Sequence, residues 1–351
     1  MTFTPEMNTI PNELIDYIIY YSNNKISELC LVSKYFNNNV KRIKITSNDK
    51  CPKITDSILI TLEGITSLNL SGNKLITNEG IKGLPNLKSL NLSCNTLITN
   101  EGIEQLTNLK SLNLYRNDMI TDKGIEQLTN LTSLELFSND VITNKGIERL
   151  VNLGSLDLSF NKLITDQEIK GLSNLTSLDL YGNDIIKELP NLTSLDLTDN
   201  KLITNEGIKR ITNLTSLNLS YNRIITIGGI KELPKLTSLN LSGYNVIINE
   251  EIKELPNLKS LCLSYNRVIT NEGIERLTNL TSLDLSNNRV ITNKGIKGLF
   301  NLTSLVLSYN IVITNEGIKG LTNLTSLGLV HNNIITVEGT KELTNLKSDR
   351  I

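Results

Sequence analysis

Ser67-Leu-Asn-Leu-Ser-Gly-Asn73-Lys-Leu-Ile-Thr-Asn-Glu-Gly80-Ile-Lys-Gly-Leu-Pro-Asn-Leu-Lys88 is one copy of a 22-residue pattern that recurs through the rest of the chain. Its polar marker runs Asn73, Asn95, Asn117, Asn139, Asn161, Asn183, Asn200, Asn222, Tyr244, Asn266, Asn288, Asn310 and Asn332. Every step is 22 residues except Asn183 to Asn200, which is 17. The two columns that begin at Leu68 and Leu70 are Leu in all thirteen units. A short period held in register over many copies is the sequence form of a solenoid, where each unit buries its apolar face against its neighbours.

Each Leu-x-Leu reads as a short strand with its leucines inward and the flanking residues outward. Stacked units pair these strands into one parallel sheet, and thirteen of them at about 4.8 Å give roughly 60 Å. Burying one such Leu contributes roughly 2 kcal/mol before conformational entropy is counted. The Asn after the strand enters a turn, where its amide satisfies backbone groups leaving the sheet. Thr-Asn-Glu-Gly-Ile then supplies a helix start, with a capping Thr or Asn and an acid in the first turn. The helices are at most about two turns long, and the Gly within them lowers helix propensity. The 17-residue unit lacks this block and is expected to carry no helix on the convex side. Tyr244 holds an Asn position unless Asn245 slips into it, and Asp349 falls in an inward Leu column, so that end looks uncapped.

The repeat resembles the leucine-rich-repeat family, whose signature is L-x-x-L-x-L-x-x-N/C, over about residues 51–351. The resemblance implies an α/β fold: a right-handed leucine-rich-repeat solenoid of 22-residue units, with its parallel sheet on the concave side and a short N-terminal helical segment. The domains expected are a helical segment at 9–45 and a solenoid of about thirteen repeats at 46–351.

Residues before about 46 do not fit the period. A helix is expected from Pro11, with Leu14, Ile15, Ile18 and Ile19 on one face, and a second over Ile26–Phe36. Pro11, Glu13, Leu14, Ile18, Leu29, Val32, Ser33, Lys34 and the aromatic Phe36 make this segment similar to an F-box. That likeness implies a substrate receptor of a Skp–cullin–RING (SCF-type) ubiquitin ligase. The Skp-type adaptor would sit on Pro11, Leu14, Ile18, Leu29, Val32 and Phe36, and the repeats would hold the client. The plainer alternative is a free-standing repeat scaffold or inhibitor whose N-terminal helices only cap the open edge of the solenoid.

Composition narrows the field. The net charge is −1 and no basic stripe interleaves with aromatics, so no nucleic acid is expected as a partner. No apolar run is long enough to span a membrane, and the first residues lack the form of a secretory signal, so an intracellular, cytoplasmic setting is expected, with the nucleus open. Cys30, Cys51, Cys94 and Cys262 lie far apart with no metal spacing. The Asn-Leu-Thr triplets are by-products of the repeat, and the abundance of Asn, Ile and Lys with no Ala suggests an AT-rich genome. A nucleophilic Ser needs a base, and His331 is the only histidine. The outward Ser column (Ser89, Ser111, Ser133 and equivalents) therefore reads as scaffold, and no enzyme, cofactor or metal site is expected.

The outward positions that vary point to a binding face. Between the Leu columns stand four consecutive acids, Glu135, Asp157, Asp179 and Asp196. Tyr115, Phe137 and Tyr181 fall in the next outward column, with Phe160 one position further on. Exposed aromatics beside acids suit a basic protein client. The alternatives are simple drift, or a metal bridging Asp157, Asp179 and Asp196, although a flat row of carboxylates coordinates poorly. Tyr221, Tyr265 and Tyr309 form a second, weaker aromatic stripe near the turn edge.

Overall fold

The structure, a computed structural model, describes residues 42–44, 56–60, 64–183, 192–243 and 246–347. The proposed adaptor residues Pro11, Leu14, Ile18, Leu29, Val32 and Phe36 lie outside the described residues. So do the helix side of the shortened unit (184–191), Tyr244, Asn245 and Asp349.

The chain divides into two compact units, Met1–Asp157 with Leu163–Asn174, and Leu158–Lys162 with Leu175–Ile351. The first unit carries parallel strands β1 (Arg42–Lys44), β2 (Ser67–Asn69), β3 (Ser89–Asn91), β4 (Ser111–Asn113), β5 (Ser133–Glu135) and β6 (Ser155–Asp157). The second carries β7 (Ser177–Asp179), β8 (Ser194–Asp196), β9 (Ser216–Asn218), β10 (Ser238–Asn240), β11 (Ser260–Cys262), β12 (Ser282–Asp284), β13 (Ser304–Val306) and β14 (Ser326–Gly328). Within each unit the strands neighbour one another in chain order, Ser opposite Ser and Leu opposite Leu. β1, which reads Arg-Ile-Lys, pairs Ile43 with Leu68 and adds a strand that the Leu columns do not announce.

The core follows from the period. In a typical unit Ile65, Leu68, Leu70, Ile76, Ile81, Leu84 and Leu87 are all buried, so strand, turn and helix each contribute apolar side chains to one continuous interior. The turn Asn is buried with them and fully used: Asn117 Nδ2 donates to the Leu92 and Asn95 carbonyls at 2.9 and 3.0 Å. Its Oδ1 accepts the Met119 and Ile120 N–H groups at 3.1 and 3.0 Å. An amide is the one side chain that supplies donors backwards and an acceptor forwards from a single buried position.

The helix side differs from the sequence expectation in an instructive way. A Thr precedes most of the short helices, but in most units it makes no capping bond to its own helix. It is bound instead by the preceding unit. Asn78 Oδ1 accepts the Thr99 N–H at 3.0 Å and Asn78 Nδ2 donates to Thr99 Oγ1 at 2.9 Å; the same pair recurs from Asn271 to Thr292 and from Asn293 to Thr314. Where the partner is Asp56 or Asp122, which has no N–H to give, the Thr77 or Thr143 hydroxyl donates to it. That Thr then accepts a helix N–H at 3.3 Å, from Glu79 or Lys145.

The helical Gly answers to the same ladder. A Cβ at Gly102, Gly124, Gly229 or Gly295 would stand 2.5–2.6 Å from the Oδ1 of the preceding Asn78, Asn100, Asn205 or Asn271. The ladder has departures. Glu168 stands in the Gly position while Asn144 still binds the Thr165 N–H and hydroxyl at 2.8 and 2.9 Å, and further along Ile227 stands in place of Asn, Ile248 in place of Thr, and Glu251 in place of Gly. At the second departure the Glu251 carboxylate accepts the Ile248 N–H at 2.9 Å, the bond that an Asn side chain of the preceding repeat makes elsewhere.

Candidate protein-binding surface

Most third-strand residues have a structural task before any functional one. Asn113 Oδ1 accepts the Tyr115 N–H at 2.9 Å, Asp179 Oδ1 the Tyr181 N–H at 3.0 Å, and Asp196 Oδ1 the Thr198 N–H at 2.8 Å. Asn and Asp serve this turn equally, so the column is free to choose its charge.

In the first unit, Glu135 on β5 is the register partner of Asp157 on β6. The Asn113 amide donates to the Glu135 carboxylate from the other side. Partial desolvation, and then the Asp157 charge, hold the Glu135 carboxyl above the ordinary glutamate value. One column on, Tyr115 and Phe137 meet edge to face with centroids 5.0 Å apart, and the Arg116 guanidinium lies 5.2 Å from the Tyr115 centroid. Both rings are half-buried and bordered by the exposed Glu135.

The second unit carries the other four residues. Asp179 and Asp196 are register partners; Ser159 Oγ donates to Asp179 Oδ1 at 2.8 Å, and Asn218 Nδ2 to Asp196 Oδ2 at 2.6 Å. Phe160 and Tyr181 pack edge to face at 4.8 Å, both exposed. Phe160 has φ +53°, and its ring lies over Gly182, where a Cβ would run into it. Thus Tyr115, Glu135, Phe137 and Asp157 form one aromatic–acidic patch, and Phe160, Asp179, Tyr181 and Asp196 form a second.

His331, in the positive-φ position before the turn Asn, stacks on Tyr309 with centroids 4.7 Å apart. Among the described residues, no group of three or more His, Cys, Asp or Glu side chains is arranged to hold a metal ion. No helix of the described residues is long and apolar enough to cross a membrane. Phe160, Tyr221, Tyr265 and Tyr309 were legible in sequence, but not the conformation of their position: just before the turn Asn the backbone adopts positive φ at Cys94, Arg116, Phe160, Tyr221, Tyr265, Tyr309 and His331 among others. Its only sequence signal is the Gly at 72, 182 and 243 of the same column.

Two family profiles match this repeat. One, described as leucine-rich repeats in two copies, matches 212–257 and 256–297; the other, leucine-rich repeat, matches 65–84, 83–106, 105–128, 127–151, 188–211 and 298–321. Together they cover 65–151 and 188–321, more than half of the chain. The chain is a leucine-rich-repeat protein. None of these matches reaches residues 9–45, where the F-box-like segment lies. No curated protein matches the chain in sequence. Among solved structures it is similar to Rad7 in the yeast Rad7–Elc1 complex, at 20% identity and TM-score 0.55, covering 96% of this chain and 86% of that one. It is also similar to an internalin, inlF, of Listeria monocytogenes at 26% identity and TM-score 0.47, covering 86% and 90%. These likenesses concern the fold. A leucine-rich-repeat scaffold of this kind is suited to protein–protein interaction.

Proposed function

We propose that the protein is the substrate receptor of an SCF-type ubiquitin ligase, with a Skp-type adaptor on residues 9–45 and a basic client on the sheet face. The observation that carries the client half is the pairing, in each unit, of an edge-to-face aromatic couple with two register-paired acids. Aromatic couples supply large desolvated area at small entropic cost, and the acids steer and select a positively charged partner. The adaptor half is supported by the F-box-like residues Pro11, Leu14, Ile18, Leu29, Val32 and Phe36. A leucine-rich-repeat chain that pairs such a segment with a client face has the two ends a receptor needs, and the setting proposed for it is intracellular.

Two sets of variants test the halves separately. Replacing Pro11 and Leu14 with charged residues is expected to abolish co-purification with a Skp-type adaptor while the melting curve of the repeats stays in place. Loss of repeat stability without any adaptor binding in the parent protein would instead make the segment a cap. On the client side, Phe137→Ala is expected to cost a captured client about 1–3 kcal/mol. Asp179→Asn, which keeps the turn acceptor, is expected to slow association and reduce its dependence on salt.

A further inference from the structure

The second unit has an edge that shares only Tyr181 with the aromatic–acidic patch. Tyr221, Tyr265 and Tyr309 all occupy the positive-φ position before the turn Asn and are 49%, 53% and 46% exposed. Two residues further along the turn, the chain places Lys201, Arg223, Arg267 and Arg289, all exposed. The steps Tyr221-Asn-Arg223 and Tyr265-Asn-Arg267 are plain in the sequence, and stacking lines them up along one edge. Stacking sets the two columns side by side, so that aromatic and cation interleave.

Three features of the edge bear on what it holds. The Tyr221 ring lies over Gly243, where a Cβ would come within 2.5 Å of it, so a bare backbone leaves room for the ring to lie along the next repeat. Tyr181, Thr198, Asp199, Lys201, Tyr221 and Arg223 line a depression of 310 Å³, with a tyrosine at either side and two cations against one acid. Arg267 and Arg289 form no ion pair among the described residues, whereas Lys201 lies 4.0 Å from Asp199. Aromatic faces repeating roughly every 10 Å, two strand spacings, beside a track of cations match a flexible polyanion that also carries planar groups. An acidic peptide would satisfy the cations and leave Tyr221 and Tyr265 without a planar partner, whereas Tyr309 already stacks on His331. We propose that this edge binds single-stranded nucleic acid without sequence preference. A base stacks in the depression between Tyr181 and Tyr221, further bases lie on Tyr265 and Tyr309, and phosphates sit on Lys201, Arg223, Arg267 and Arg289. The proposal shares Tyr181 with the client surface and is tested at Tyr221, Tyr265, Arg267 and Arg289, none of which belongs to that surface.

Fluorescence anisotropy of the full chain with a labelled oligothymidylate of about 12 nucleotides tests it. Asn is the suitable replacement for the tyrosines, because Asn287 holds the same column at φ +53°. Tyr221→Asn with Tyr265→Asn is expected to weaken binding by about tenfold or more. Arg267→Gln with Arg289→Gln is expected to weaken it and to flatten the log–log salt slope by about 1.4, since each single-strand phosphate contact contributes about 0.7. Phe137→Ala, in the other unit, is expected to leave it unchanged. Absence of saturable binding at low salt, or binding that neither variant pair alters, would overturn the proposal. So would an oligoglutamate peptide that binds the edge more tightly than oligothymidylate, which would assign it to an acidic protein segment.

Discussion

At the scale of single residues, the repeat is governed by what one atom can do at a fixed place. Gly124 looks, in sequence, like a helix-weakening residue, and by propensity alone Ala would improve it by about 0.8–1 kcal/mol. The structure opposes that gain, because the new Cβ would stand 2.5 Å from Asn100 Oδ1 of the unit before, although Glu168 holds the equivalent position with both Asn144–Thr165 hydrogen bonds kept. Gly124→Ala is expected to lower stability by about 1–3 kcal/mol, through the forced displacement of a hydrogen-bonded amide. Gly171, also helical, has nothing within 4 Å of a built Cβ. Gly171→Ala is therefore expected to raise stability by about 0.5–1 kcal/mol. Urea titration of the two variants checks both signs at once, and equal effects would remove the close-approach account. The wealth of Asn also takes its meaning here. It reads from composition as a trace of genome bias, yet buried turn Asn, helix-side Asn and the Asn before the ascending strand (Asn108 Nδ2 to the Pro85 carbonyl, 2.9 Å) each hold backbone or side-chain groups of a neighbouring unit.

At the scale of elements, the three-residue strands and four- to six-residue helices are too short to stand on their own propensity, so ladders between units fix them. The irregular unit makes the coupling testable. Ile227→Asn alone places an amide oxygen against the Glu251 side chain and is expected to destabilise. Adding Ile248→Thr and Glu251→Gly restores the regular ladder, and the triple variant is expected to be at least as stable as the parent. Additive losses in a thermal-melt cycle of the three changes would show that the columns are uncoupled. How much of this was legible in sequence depends on whether the cause lay within one unit. Leu68 and Leu70, their unbroken columns and the turn Asn announced the strands, the core and the solenoid, because period and side-chain chemistry suffice for those. β1 was not legible, since Arg42–Lys44 carries the pairing but not the leucines. The role of Thr99 was misassigned for the same kind of reason: a capping residue and an inter-unit acceptor look identical in one dimension. The positive-φ aromatics were visible as a stripe, and Arg223 and Arg267, two residues after Tyr221 and Tyr265, were equally legible, but only stacking makes a continuous row of them.

At the scale of the whole molecule, each repeat contacts chiefly the next, so a site can be tuned locally with little effect elsewhere. Glu135 is the place where function and stability pull apart. Folding raises its carboxyl above the unfolded value, so the native state favours the proton, and the stabilising contribution is complete below the unfolded pKa of about 4.3. It is lost as pH rises through the raised native value, above which the ionised Glu135 faces Asp157 at a net cost. Glu135→Gln removes this group from the titration and retains an acceptor for the Asn113 amide. The stability difference, variant minus parent, is therefore expected to be smallest near pH 4 and to grow in favour of the variant towards pH 7. Hydrogen exchange at the β5 and β6 amides should show the gain, and strands distant in the repeat order should not. The same variant is expected to bind a basic client more slowly, because the charge that costs stability is the one that steers. A variant that gains no protection at neutral pH, or gains it without any loss in association rate, would sever the link between the acid pair and client capture.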